Sequence, residues 1–303
     1  MAGKRSIGDK IIDWVVVAIM VFVIAAVMYP FLNALAISFN HAEDTVLGGV
    51  TLWPRRFAYE SYRSILTNPL IWNAYYITIM RTLVGTVLAV FCTGILAYGL
   101  AHSNLVGRKY YAIICLIPMY FGGGLIPTFL MIRGMGLLNT FAVFIVPSLI
   151  GLFNVILMRT FFQSLPESLE ESAMLDGANY LTIFFRIIVP ISTPIIATIC
   201  LFVGVFHWND WFFGTIYITD ASLRPMQNVL LSVINDARFA EAIAALPGGE
   251  AAAAMAQIAR GRPTNVRSIT MATMFVTIAP VVIVYPFLQR FFIKGIMIGS
   301  VKG

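Results

Sequence analysis

The residues that could do chemistry are few. His207 and Asp210, set among Trp208 and Trp211 in His-Trp-Asn-Asp-Trp, are residue types that serve metal or catalytic sites, but the chain has only 3 His and no second ligand cluster nearby. The stretch therefore reads as interfacial aromatics at a helix end. No G-x-x-x-x-G-K-[ST] phosphate loop occurs, so this chain cannot hold ATP as a P-loop protein does. Gly122-Gly123-Gly124 lacks the strand-then-helix setting of a nucleotide motif and reads as a break or a close-packing point in an apolar helix. The 3 cysteines, Cys92, Cys115 and Cys200, are scattered through apolar runs and read as packing residues. No cofactor, metal or nucleic-acid partner is expected.

One polar stretch has a definite architecture. Glu167, Glu170 and Glu171 follow Pro166, which places carboxylates at the positive end of a helix dipole. The helix carries Leu169, Ser172 and Ala173 on one side, runs through Met174 and Leu175 to Asp176, and meets Gly177, the residue suited to a position just past a helix end. That predicts about three turns. Asn179 can cap a second helix, in which Tyr180, Ile183, Phe184, Ile187 and Ile188 recur at helical spacing. The small side chains and acidic edge of this bent pair suit docking into a groove on another protein with cationic walls.

The elements that position this stretch are apolar. Of 303 residues, 59% are hydrophobic and 11% charged, with mean hydropathy +0.87, where a soluble domain carries roughly a quarter charged residues. The chain reads as an all-α integral membrane protein with six spans, near 14–39, 74–101, 110–132, 141–159, 187–206 and 268–290. Residues 1–13 precede them, and 14–303 form one membrane domain. Lys and Arg divide evenly between the two sides, but the short loop at 102–109 and both ends are basic, which favours the termini and the loop 162–186 on the cytoplasmic side, an assignment that rests in part on the resemblance described below. The net charge of +6 then needs no anionic partner. Segments 40–73 and 207–267 are assigned outside; the first should be an ordered loop, and within the second the Ala-rich stretch Glu250 to Arg260 is either a short helix or a flexible insert.

No Asp, Glu, Lys or Arg lies in the central part of any of these spans, whereas ion- or proton-coupled carriers keep such groups in the membrane. Hydroxyls and amides are present instead, and Tyr120, Asn154, Thr193 and Thr273 are the candidates for a solute path. Arg81 and Arg133 read as interfacial anchors available as rim cations.

Glu171-Ser172-Ala173, three residues, Gly177, nine residues, then Ile187-x-Val189-Pro190 resemble the E-A-A-x3-G-x9-I-x-L-P loop of permease subunits in binding-protein-dependent ABC importers. Ser172 stands in place of Ala, and Val189 in place of Leu. The ending Lys294-Gly295 through Gly299, Val301, Lys302 and Gly303 is similar to the tail of maltose-transporter-type sugar permeases. PMYFGGGLIPTF and VYPFLQRFFIKGIMIGSVKG look like the branch that imports oligosaccharides of plant or algal polysaccharides, alginate included.

The resemblance implies a multi-pass subunit of the bacterial inner membrane, with no enzymatic activity of its own. It would pair with a second permease, two ATP-binding subunits and an extracytoplasmic solute-binding protein. Glu170, Glu171, Ser172, Ala173, Leu175, Asp176 and Gly177 would form a coupling surface between spans four and five. The tail residues Gly299, Val301, Lys302 and Gly303 would reach the ATPases, and oligosaccharide and membrane lipid would be the remaining contacts. The competing reading is a secondary carrier or channel for a small polar solute, and the lack of intramembrane charge and of inverted repeats counts against it.

Overall fold

The computed structural model describes residues 7–244 and 265–300. Among these the chain is almost entirely helical, with one isolated antiparallel bridge between Asn40 and Phe57. It divides into two compact units, Met1–Pro69 with Leu230–Ile278, and Leu70–Val229 with Ala279–Gly303.

Helix α1 is Ile7–Ser38, with Pro30 inside it, and its apolar side chains from Ile11 to Val27 are exposed, as on a helix whose solvent is lipid. Short helices α2 (Ala42–Val46) and α3 (Glu60–Leu66) follow. The predicted order in this loop has a physical source. Buried Asn40 donates its amide to the Asp44 carboxylate at 2.8 Å and to the Thr45 hydroxyl at 3.0 Å, and accepts from the Arg56 amide at 3.1 Å. Asn33 donates to the carbonyls of Val50 and Thr51, tying the loop back onto α1.

Helix α4 is Pro69–Ala101, α5 Arg108–Tyr120 and α6 Leu125–Gly134. Two 3₁₀ turns, Phe141–Phe144 and Val146–Ser148, lead to α7, Leu152–Phe162. After the polar stretch come α8 (Ser168–Leu175), α9 (Tyr180–Ile183), a π turn at Phe184–Ile188, α10 (Val189–Ile191), α11 (Thr193–Asn209) and α12 (Phe212–Ile216). Helices α13 (Met226–Ala244) and α14 (Val266–Ser300) complete the described chain.

Among the described residues four stretches are helical and apolar over enough length to cross a membrane: α1, α4, α11 with α12, and α14; two bent pairs bring the number up to six. The bends have local causes. Between α5 and α6 the chain turns by 116° at Gly122–Gly124, where Gly124 has φ +81, open to glycine and strained for other residues. The triple glycine therefore breaks the helix. The predicted fourth span bends by 49° between its 3₁₀ turns and α7, with Pro147 in the second turn. The predicted continuous run from Tyr180 into span five is also interrupted. Pro190 and Pro194 flank Ser192, whose φ −93, ψ 13 ends α10 before α11 begins.

The core of the second unit has two clusters. One joins Ala97, Tyr98, Met158, Phe162, Ile183 and Ile188, so the stripe predicted after Asn179 is what packs α9 and the π turn. The other gathers Ile77, Ile132, Val143, Phe144, Tyr217 and Ile218.

Candidate functional site

Helix α8 is about two turns long, shorter than the three predicted, and its ends are built as the residue types require. Its first amides lie beside Glu170 and Glu171. At its end Gly177 takes φ +82, and the two bonds of a Schellman motif close: Gly177 N–H to the Met174 carbonyl and Ala178 N–H to the Ala173 carbonyl, each 3.0 Å. Asn179 then accepts from the Thr182 amide at 2.8 Å, as its predicted capping role requires. The Ser172 hydroxyl donates back to the Ser168 carbonyl at 2.8 Å. This absorbs the polar group by which Ser172 departs from the alanine of the resembled pattern, and leaves a small outer surface.

Ala173 is buried against the core, while Glu171, Ser172, Met174, Asp176 and Gly177 are exposed and Leu175 is 89% exposed. The outer face is thus a nonpolar tip flanked by carboxylates. Its inner edge is held by His102, which the sequence reading did not single out. Nε2 of His102 lies 2.8 Å from Glu170 Oε2, and Nδ1 lies 2.8 Å from the Tyr98 carbonyl. Each ring nitrogen thus faces one oxygen, which fixes the imidazole between α4 and α8. Edge-on rings of Tyr98 at 4.5 Å and Tyr180 at 5.3 Å fix the imidazole plane. The i, i+4 spacing of Tyr98 and His102 at the end of α4 was the available signal.

A second cluster corrects two expectations. Arg81 is fully buried within α4, not an exposed rim cation. Its Nη1 donates to Asp210 Oδ2 at 3.1 Å, its Nη2 donates to the Asp210 carbonyl, and its guanidinium lies 5.1 Å from the Phe144 ring centroid. Asp210 is accordingly the partner of a buried cation and more than an interfacial flanking residue, and His207 is 2% exposed, with its ring packed where a side chain on Gly85 would stand. The ion pair ties α4 to the α11–α12 stretch, with Arg81 near the start of the predicted span 74–101 and Asp210 beyond 187–206, so neither stands in the central part of a predicted span. Burial of Arg81 is tolerated because carboxylate, carbonyl and ring converge on it.

The remaining sequence candidates are dispersed. Tyr120 ends α5 and is 74% exposed. Asn154 is half-buried in α7, beside Gly151. Thr193 and Thr273 donate to the carbonyls of Pro190 and Ile269 in their own segments. Arg133 is exposed in the last turn of α6. Gly299 belongs to the backbone of α14, whereas Val301, Lys302, Gly303 and the Ala-rich stretch lie outside the described residues. No group of three or more His, Cys, Asp or Glu among the described residues is placed to hold a metal ion.

Comparison with known proteins gives the context. No family model matches the chain. It is 35% identical over 97% of its length, and 99% of the relative's, to the polygalacturonan/rhamnogalacturonan transport system permease protein YtcP of Bacillus subtilis. It is 36% identical to the protein LplC of the same organism, over 92% of this chain and 90% of that one. Its fold matches, at a TM-score of 0.84 and 29% identity, a chain of the crystal structure of a bacterial ABC transporter involved in the import of the acidic polysaccharide alginate, covering 95% of this chain and 99% of that one. The chain is a transport subunit of the inner membrane, not an enzyme, and it belongs to the permease family of sugar ABC transporters.

Proposed function

We propose that this permease carries oligosaccharides, uronate-containing ones among them, as half of a translocation path completed by a second permease. Two ATP-binding subunits drive it, and a solute-binding protein feeds it. Six spans cross the membrane, formed by α1, α4, the α5–α6 pair, the 3₁₀ turns with α7, the α11 stretch and α14. These belong to one membrane domain, 14–303, with the loops 40–73 and 207–267 outside. The loop 162–186 and α8 lie between spans four and five on the cytoplasmic side.

The observation that carries the reading of a solute path is the break at Phe121–Gly124. Irregular backbone at membrane depth is tolerated only where it meets protein or a water-filled cavity, since lipid satisfies no peptide group. Tyr120 and Phe121 stand exposed at this break, 74% and 77%, and present flat faces of the kind that stack on sugar rings. Asn154, Thr193 and Thr273 are the other candidates for the path. At the opposite functional end, Leu175 and its acidic neighbours on α8 form the surface offered to the ATPase, and Gly299 with Val301, Lys302 and Gly303 forms the tail contact.

The uronate reading is supported by the relatives named for polygalacturonan and alginate, not by fixed cations on the candidate path. The test is uptake into proteoliposomes holding the assembled complex, with binding protein and ATP supplied. Oligogalacturonate or oligoalginate should enter, and Tyr120→Ala should reduce uptake while leaving assembly intact. ATP-independent entry, or uptake confined to neutral monosaccharides, would overturn the proposal.

A further inference from the structure

The surface between α5 and α7 carries two recesses that the transport reading leaves unused. The first, about 360 Å³, is lined by Arg108, Lys109, Arg159, Ala112 and Ile113, with three cations and no carboxylate. The second, about 200 Å³, shares Ala112 and Arg159 with it and continues between Cys115, Leu116, Leu152 and Ile156. The basic recess thus opens into an apolar one. Because α5 leaves Arg108 as α7 arrives at Arg159, the groove runs away from the cations for about 10 Å, the length of seven helical residues.

We propose that this groove binds an anionic phospholipid, the headgroup phosphate on Arg108, Lys109 and Arg159 and one acyl chain along Ala112, Cys115 and Leu152. Charge complementarity selects this occupant. Three cations converge where no acid of the lining answers them, and the apolar continuation suits a hydrocarbon chain and not a free anion. Two details show the cations are placed. Arg108 Nε donates to the Leu100 carbonyl at 3.0 Å, fixing its guanidinium at the mouth. Arg159 Nε is buried without a partner among the described residues, a donor left for a group from outside. The recess lies at the same end of α4 as His102 and α8, so assigning the lipid to the cytoplasmic leaflet rests on the proposed topology. Lipid preference itself does not depend on that assignment.

The test uses the full chain purified with its partner permease, and labelled phosphatidylglycerol and phosphatidylcholine as probes. Phosphatidylglycerol should bind at least about tenfold more tightly, and the combined substitution Arg108→Gln, Lys109→Gln and Arg159→Gln should bring that preference below about threefold. Ala112→Trp, which fills the shared wall and leaves every charge, should also lower phosphatidylglycerol binding without changing the thermal unfolding midpoint, and it answers the question if the triple variant fails to fold. Equal affinity for both lipids, or a preference that survives both variants, would overturn the proposal. So would displacement of the lipid by inorganic phosphate alone, which would mark a free-anion site. Efficient cross-linking of Ile113→Cys to the partner permease with no lipid retained would show instead that protein covers the groove.

Discussion

Replacing Asp210 with Ala should cost the protein about 3 kcal/mol of stability, and the structure sets both the size and the shape of that effect. Removing one member of a buried ion pair strands the other, at a cost of about 3 to 5 kcal/mol. Arg81 is fully buried, so its charge cannot turn to water. Yet Asp210→Ala leaves the backbone carbonyl that Nη2 uses and the Phe144 ring 5.1 Å away, which puts the cost at the lower end of that range. The same substitution removes Oδ1, which accepts from the amides of Phe212 and Phe213 at 3.1 and 3.4 Å and caps α12. Asp210→Asn can keep that cap or face Arg81 with its one oxygen, and should fall between wild type and Ala. The double variant Arg81→Met with Asp210→Ala removes the stranded charge, and should recover about 2 kcal/mol relative to Asp210→Ala alone. Unfolding in mixed micelles with graded denaturing detergent reads these four proteins and Arg81→Met alone. If Asp210→Ala lies within about 1 kcal/mol of wild type, or the double variant costs the full sum of the singles, the pair is not the internal support described here.

Three further outcomes are expected. A Cβ at position 177 meets no atom within 4 Å, but Gly177→Val forces a side chain into φ +82, a strain of about 1 kcal/mol or more, so co-purification of the ATPase should fall while insertion is kept; an unchanged subunit ratio with intact transport would count against the bend. Asn154→Ala should alter uptake by less than about tenfold, or under about 1.4 kcal/mol, and a complete loss with normal assembly would reveal a tight sugar site. Asp44 is held below its ordinary value of 3.8, first by the Asn40 amide and then by Arg55. A depressed folded value means stabilisation that is present above the ordinary value and lost as pH falls through the folded one; a spin label in the 40–57 loop should become more mobile only at acid pH, and Asp44→Asn should reproduce that mobility at neutral pH.

What the sequence disclosed and what it concealed follow from the range of the interactions. The end of α8, the left-handed Gly177 and the Asn179 cap are decided within a few residues, so residue type and spacing were enough. The triple glycine allowed either a break or a close-packing point, and gave no sign of the 116° angle, which depends on what α5 and α6 each pack against. Prolines 190 and 194 were in plain view, yet the stripe across them invited one continuous helix. The pairs Arg81–Asp210 and His102–Glu170 join residues 129 and 68 positions apart, and no local pattern records them. Arg81 in particular stood just before an uncharged run, where an exposed anchor and a buried ion-pair member look alike.

Both long-range pairs are mounted on one helix, and that changes how α8 relates to the rest of its unit. His102 directly follows α4 and is bonded to its Tyr98 carbonyl, while Arg81 lies about 30 Å back along the same helix. A helix with Ala89 and Ala97 packed in the core is stiff over that distance, so a displacement of α8 that preserves the His102–Glu170 contact must move α4 as a body. Arg81 then moves with it, and the strong bonds to Asp210 carry the displacement to the start of α12. The chain connecting α8 to α11 through α9 and the π turn offers a parallel route, but one interrupted at Ser192 and less able to transmit a push. The stiff path from the proposed coupling surface therefore runs through α4, which in sequence is remote from it.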